Sequence, residues 1–437
     1  IVVAGDHGEG LGEHGEAQHG NLLYQATMHV PLLIAGPGVA AGVVDAPVST
    51  RRIFHTLLDW AGIDAKQSLR GSDTEVVVGE SMIPFLQYGW QPQVMAVEGR
   101  QKVIRAGGLE LYDVIADPKE THDDGVKADL SRGLRPALRE SPIPGPEPVK
   151  PALSDEDRKQ LAALGYIASD AKPVVREDAP LPRDMVHLFE PLEKASGLFV
   201  AEQYAAASPL LEKILAADPN NLMTALRLAT SHSALGHEAA AEAAFRRAES
   251  IAPNSPDVRA YLGLHYARTR NWERAVPLLE RVVAESPERL PPLEALAAVR
   301  ERQQRYEDAL ALRQKIATMK TPTPAELLHT GELAMGIGRS DVAIAAFEQA
   351  RSLQRDAFRH DLELGVLYLA QRRFEEARAA LDRVPSSHPA YAMALFKRAQ
   401  VSVLLNEPDR AARVEAARRG GNAETRELIA NERLFNF

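Results

Sequence analysis

Between Gly5 and Gly20 the sequence reads GDHGEGLGEHGEAQHG, which sets three histidines, one aspartate and three glutamates among six glycines. Imidazole and carboxylate are the donors that borderline divalent cations take, and histidine is the side chain best placed to move a proton near neutral pH. Glycines at 5, 8, 10, 12, 15 and 20 exclude a regular helix and let the backbone come close to a ligand. Asp6 and His7 directly follow the apolar run IVVA and Gly5, so both stand where a strand gives way to a loop. That edge is where open α/β sheets place their active sites. Spacing excludes two familiar metal patterns. His14 is followed by Gly15, and the next histidine is His19, so there is no HExxH helix; the EF-hand spacing is absent as well.

The elements that hold this loop are short. IVVA, PLLIA and EVVVGE read as strands, and VMAV, QKVIRA and LELYDV, parted by EGR and GG turns, read as a small antiparallel meander closing near residue 125. One helix is expected from an N-cap at Ser49 through Ile53, Phe54, Leu57, Leu58 and Ala61, whose spacing makes an apolar stripe, to a stop at Gly62. Tyr24 reads as core and His29 as a packing residue. Taken together, D-H-G-E-x-x-G-E-H-G-x-x-x-H-G, the following LYQATMHVPLLIAGPG, VSTRRIFHTLLDWAGI and KVIRAGGLELYDVIADPKE resemble the C-terminal half of the sulfatase-like branch of the alkaline phosphatase superfamily.

That resemblance implies a metal-dependent ester hydrolase. Asp6 and His7 would be two ligands of one divalent cation, Ca²⁺, Mg²⁺, Mn²⁺ or Zn²⁺, which polarises a sulfuryl or phosphoryl oxygen. His19 would bind the ester oxyanion or assist the leaving group, with His14 a further substrate contact and Glu9 a loop-shaping or indirect partner of the metal. In the family the nucleophile and further acidic ligands lie upstream. The chain is therefore expected to be the C-terminal part of a longer protein, to be inactive alone, to bind metal weakly through two side chains, and to leave an apolar sheet edge and face uncovered. Phosphoryl or phosphoethanolamine transfer within the same superfamily is the neighbouring activity, and a scaffold with a degenerate hydrolase half is the non-enzymatic alternative. The compartment implied is periplasmic or membrane-associated.

From about 126 to 182 nine prolines mark a linker, inside which LSDEDRKQLAALGYI reads as one short helix capped by Ser154. From 183 onward alanine recurs every 34 residues at Ala207, Ala241, Ala275, Ala309, Ala343, Ala377 and Ala411. A small residue sits twelve places before each: Ala195, Ala229, Gly263, Ala297, Gly331, Gly365 and Ala399. Large residues follow four places after most of the alanines, and Pro219, Pro253 and Pro287 end second helices. This resembles the tetratricopeptide repeat in seven units, with AETRELIANERLF as a capping helix. Arg313 and Glu415 replace the expected large apolar residue, so the fourth and seventh units are expected to pack less well.

The fold class is thus an α/β sulfatase-like domain remnant (1–125), a linker (126–182) and an all-α solenoid (183–437) whose concave face suits a protein or peptide partner. A net charge of −9 argues against nucleic acid. The absence of cysteine excludes disulfides and thiolate sites. The longest apolar stretch, 29–44, is broken by prolines and glycines, which excludes a membrane span.

Overall fold

The computed structural model describes residues 1–63, 65–70, 75–125, 130–140, 175–354 and 358–435. The expected linker helix around Ser154 lies outside the described residues. Two compact units form, Ile1–Asn271 and Trp272–Phe437.

In the first unit, strand β1 (Val2–Ala4) pairs antiparallel with β2 (Leu32–Ile34), Val3 lying opposite Leu33. Between them run the glycine loop and a single helical turn, α1 (Gln25–Met28). A separate four-stranded meander follows, β3 (Val77–Ser81), β4 (Gln93–Glu98), β5 (Gln101–Ala106) and β6 (Gly108–Asp113), with tight turns at Gly99 and Gly107, both at positive φ. Strand alternation sends Val94, Ala96, Val103 and Leu111 to one face, where Leu134 and Leu138 of α3 (Leu134–Glu140) cover them. Met95, Val97, Ile104 and Tyr112 face the other way and pack on Leu22, Leu23 and Tyr24, the segment that leaves the glycine loop. Both faces being covered, β4 is buried at every position but its last.

Helix α2 (Arg52–Trp60) departs from expectation at its start and on its faces. Ser49 does not cap it; its N–H donates to Glu75 instead. Arg52 and Thr56 are the buried residues, while Phe54 and Leu57 are 63 % and 49 % exposed. The reason is polar. The Arg52 guanidinium donates to the carbonyls of Gln67 and Ser68 and pairs with Glu75, and the Thr56 hydroxyl accepts from Leu69 N–H. A buried guanidinium with these acceptors fixes the helix orientation, and the apolar stripe is left outward. Val3 and Leu33, opposite each other in the β1–β2 pair, are also more than half exposed.

The same unit includes α4 (Phe189–Val200), α5 (Tyr204–Ala217), α6 (Leu222–Ala234), α7 (Glu238–Ile251) and α8 (Pro256–Arg268). Trp90 is buried among Leu188, Leu192 and Leu211, joining the α/β segment to the first repeats in one core. Its indole N–H donates to Asp218 at 2.8 Å.

The second unit continues with α9 (Trp272–Glu285), α10 (Leu290–Arg302), α11 (Tyr306–Met319), α12 (Pro324–Gly336) and α13 (Ser340–Leu353). It closes with α14 (Asp361–Ala370), α15 (Phe374–Leu381), α16 (Tyr391–Leu404), α17 (Arg410–Gly420) and the capping helix α18 (Ala423–Asn431). Along the array, the repeat alanines from Ala207 to Ala377 are fully buried. Ala411 is not, because α17 begins only at Arg410 and turns Val414 and Ala417 inward instead. In two of the units the large residue four places after the alanine packs over the small residue of the same unit, Phe347 over Gly331 and Leu381 over Gly365. A Cβ on Gly331 would stand 2.5 Å from the Phe347 ring, so those two helices pack with no room for a side chain there. In the fourth unit Arg313 pairs with Glu301 in place of an apolar contact, and it lines a cleft of about 540 Å³ with Ala297, Ile316, Leu327 and Val342.

Candidate metal and ester site

The loop that carries the histidines is knitted by backbone hydrogen bonds. Gly5 N–H donates to Pro31, Gly8 to Thr27, Gly10 to Gln18 and Gly12 to Glu16, so the segment first runs beside the return to β2 and then closes on itself. Glycine is required at two of these crossings. A Cβ on Gly8 would lie 2.2 Å from the Ala26 carbonyl oxygen, and one on Gly10 would lie 2.5 Å from that of Glu16. These close crossings bring residues 7, 9 and 19 to one place.

His7 is the pivot. Its Nε2 lies 3.9 Å from the Asp6 carboxylate, and its ring stacks on that of His19 with centroids 3.7 Å apart. His7 Nδ1 donates to the Gly8 carbonyl at 2.7 Å. A carbonyl oxygen only accepts, so Nδ1 carries a proton and Nε2 is the nitrogen left to meet a cation. His19 Nδ1 meets the Glu9 carboxylate at 3.1 Å. His7, Glu9 and His19 each offer a donor atom within 4.8 Å of the others; among the described residues this is the one such group of three or more. All three are exposed. Asp6 is exposed too, and its carboxyl is held below the usual carboxylate range by the backbone N–H groups of Asp6 and His7 and by the nearby His7 ring. The donor set therefore fits a divalent cation, with two imidazoles and two carboxylates within one short loop.

His14 is held elsewhere. At positive φ, its ring stacks on Tyr24 with centroids 3.6 Å apart, and its Nε2 meets the Lys119 carbonyl at 2.9 Å. His29 is exposed and does not pack. Tyr24 is core, as its place in the sequence suggests, and its hydroxyl donates to Glu110 at 2.8 Å.

Three anchors under the loop carry no sequence signal beyond the resemblance of LELYDVIADPKE. Glu16 is buried and accepts the N–H groups of Asn21 and Leu22; burial pushes its carboxyl up. Glu110 takes the Tyr24 and Tyr112 hydroxyls and the Arg183 guanidinium. Lys102, fully buried on the same sheet face, pairs with buried Glu120 at 2.6 Å, and Glu120 also accepts Gln25 N–H. Burial pushes the Lys102 ammonium down, against the pull of Glu120.

Fold and loop define an α/β segment with a metal-capable glycine loop, joined to a helical repeat solenoid. Residues 1–63 match the family described as Sulfatase. Residues 198–264 match one model described as Tetratricopeptide repeat, and 261–321, 329–392 and 363–424 match a second of the same description. The chain thus carries a sulfatase segment ahead of a tetratricopeptide repeat array. Choline-sulfatase of Rhizobium meliloti (strain 1021) is 31 % identical over 137 residues, 28 % of this chain and 26 % of that protein. Arylsulfatase K of Bos taurus is 38 % identical over 96 residues, 21 % of this chain and 18 % of that one. The chain spans about a quarter or less of the length of these relatives. Among solved structures, MamA AMB-1 matches 38 % of this chain and 99 % of its own at 23 % identity, with a TM-score of 0.34. No helix among the described residues is long and apolar enough to cross a membrane.

Proposed function

We propose that the glycine loop is the cation- and anion-binding part of a sulfate-ester hydrolase site, and that the repeat array recruits a protein or peptide partner. The observation that carries this is the convergence of Asp6, His7 and His19 on one exposed loop within the segment that matches the sulfatases. Asp6 and His7 hold a divalent cation, which when bound supplies Lewis-acid polarisation of a sulfuryl oxygen. His19, stacked on His7, faces the anionic ester and offers its N–H to the oxyanion or leaving group. Between Gly5 and Gly20 there is no serine, threonine or cysteine, so the loop binds and polarises but does not supply the nucleophile. Phosphoryl transfer is the neighbouring reading, since the same donors serve a phosphate ester. The resemblance adds a periplasmic or membrane-associated setting.

The experiment compares an aryl sulfate with a phosphodiester on the purified chain and divalent metal. The aryl sulfate is expected to bind without turnover, with His19→Ala weakening it about tenfold, the loss of one charge-assisted contact. Preference for the phosphodiester moves the chain to the phosphoryl branch, and sulfate turnover by the chain overturns the assignment of the nucleophile elsewhere.

A further inference from the structure

Four arginines are buried among the described residues, Arg52, Arg227, Arg300 and Arg398. Three of them meet carboxylates: Arg52 pairs with Glu75, Arg300 with Glu280, and Arg398 with Asp382 and Glu407. Arg227, only 5 % exposed, pairs with no carboxylate among the described residues, and its Nε is enclosed without a hydrogen-bond partner. We infer that Arg227 anchors a polypeptide partner by one carboxylate, an aspartate or glutamate side chain, in a site that the α/β segment and the first repeats build together. This rests on the reading that the array recruits a partner, and it names the chemistry by which that partner is held.

A guanidinium stays charged in a protein, and a buried charge left unpaired is costly. The ionisable groups that act on this one are the phenols of Tyr88 and Tyr261. Burial pushes the Tyr88 phenol up, so it stays neutral and does not balance the cation. The Phe199 ring, its centroid 5.8 Å from Arg227 Cζ, offers a quadrupole and not a counter-charge. Thr230, three residues on along the same side of α6, has a second enclosed group, a hydroxyl oxygen without a partner. A carboxylate answers both, since it accepts from the planar fork and from the hydroxyl. One cation calls for one acid and not a polyanion, in keeping with the net charge of −9. Placement agrees. Arg227 stands on α6, and the residues 34 before and 34 after it are Glu193 on α4 and Tyr261 on α8. The Glu193 carboxylate accepts from Gln18 at 2.9 Å instead of meeting Arg227. Tyr88 ends the turn Pro84–Tyr88, which packs on α6, so the α/β segment supplies one wall. The half-buried rings of Tyr88, Phe199 and Tyr261 offer apolar surface to the residues beside the acid.

The test titrates the full chain, labelled with ¹⁵N in arginine, with acetyl-Phe-Glu-Phe-amide, acetyl-Phe-Gln-Phe-amide and inorganic sulfate. Binding is followed in the arginine Nε–H resonances, that of Arg227 being the one lost in Arg227→Lys. The glutamate peptide is expected to move this resonance and to bind at least about tenfold tighter than the glutamine peptide, the value of one charge-assisted contact. Arg227→Lys keeps the charge and loses the fork, and is expected to weaken the glutamate peptide about tenfold by calorimetry. Tyr88→Ala, which removes the wall from the α/β segment, is expected to weaken it too, whereas Arg246→Lys, at an exposed arginine of α7, leaves it unchanged. The comparison of the two peptides is made on the wild-type chain, so a misfolded variant does not decide the matter. An unmoved Arg227 resonance, or equal binding of the two peptides, overturns the inference. So does sulfate bound more tightly than the glutamate peptide, which makes this a site for a small oxyanion. Glutamate-peptide binding that Arg227→Lys leaves unchanged also overturns it, and leaves recruitment by the array standing. If neither peptide binds and sulfate alone moves the Arg227 resonance, recruitment at this face fails with the inference.

Discussion

Glu16 shows how a side chain outside the donor group controls it. Its buried carboxylate receives the Asn21 and Leu22 N–H groups, and its own carbonyl takes the Gly12 N–H, so one residue closes both ends of the inner loop that presents His19. Glu16→Ala leaves two N–H groups without their acceptor, at a cost of about 1–3 kcal/mol for each that stays buried. It is expected to lower the affinity of the loop for a divalent cation although no candidate ligand is lost. Glu16→Gln keeps an acceptor of the same length and is expected to restore binding, which calorimetry on the two variants checks. Little in the sequence separates Glu16 from Glu9 or Glu13: all three directly follow a glycine, and the crossing of the chain at Gly10 and Gly12 decides which is buried. Asp6, His7 and His19 stand out in the sequence because their order and spacing are themselves a motif. The gathering of Glu9 with the two histidines depends on loop closure, which spacing alone leaves open.

Helix ends are legible where a local rule sets them, and α12 is an example with a measurable consequence. Thr323 and Glu326 form a reciprocal capping box, and Lys320 pairs with Glu326 at 2.8 Å and with Glu294. The bond from Lys320, aided by Thr323 N–H, holds the Glu326 carboxyl down at about 2. A carboxyl with a lowered folded pKa adds stability above its unfolded value near 4.5, and that stability is lost as pH falls from there toward 2. Glu326→Gln preserves the cap and removes the charge, so its stability is expected to change less than the wild type's across that window; paired acid titrations followed by circular dichroism check this. Solvent screening at this partly exposed site keeps the effect modest. The turn inside each repeat was less legible. Positive φ recurs every 34 residues, at Glu202, Gly236, Arg270, Gln304, Gly338, Arg372 and Asn406, yet glycine marks only two of the seven. The repeat imposes the left-handed turn through its packing, and five side chains accept it. Helix α2 shows the opposite limit: its apolar periodicity is clear, but the acceptors around Arg52 decide which face is buried.

Trp90, between β3 and β4, ties the four-stranded sheet to the repeats, a connection no local pattern announces, since its hydrogen-bond partner Asp218 is 128 residues away. The composition break near residue 125 and the prolines after it suggest separate domains. In the first unit, however, the Trp90 ring lies 6.1 Å from Phe189 and 4.7 Å from Tyr88, while Arg183 reaches Glu110 and Gln18 reaches Glu193. The glycine loop is thereby braced by the start of the array: a Cβ on Gly15 would meet Val186 at 2.8 Å. Trp90→Ala empties a large buried volume and removes the indole donor from Asp218, which keeps Asn221 as a partner. A loss of about 3–5 kcal/mol is expected. If sheet and first repeats share one core, hydrogen exchange will accelerate together in residues 77–113 and 189–217 while Trp272–Phe437, a unit of its own, keeps its protection. Acceleration confined to the sheet would mean that the first repeats stand without it, and that they hold the glycine loop without depending on it in turn.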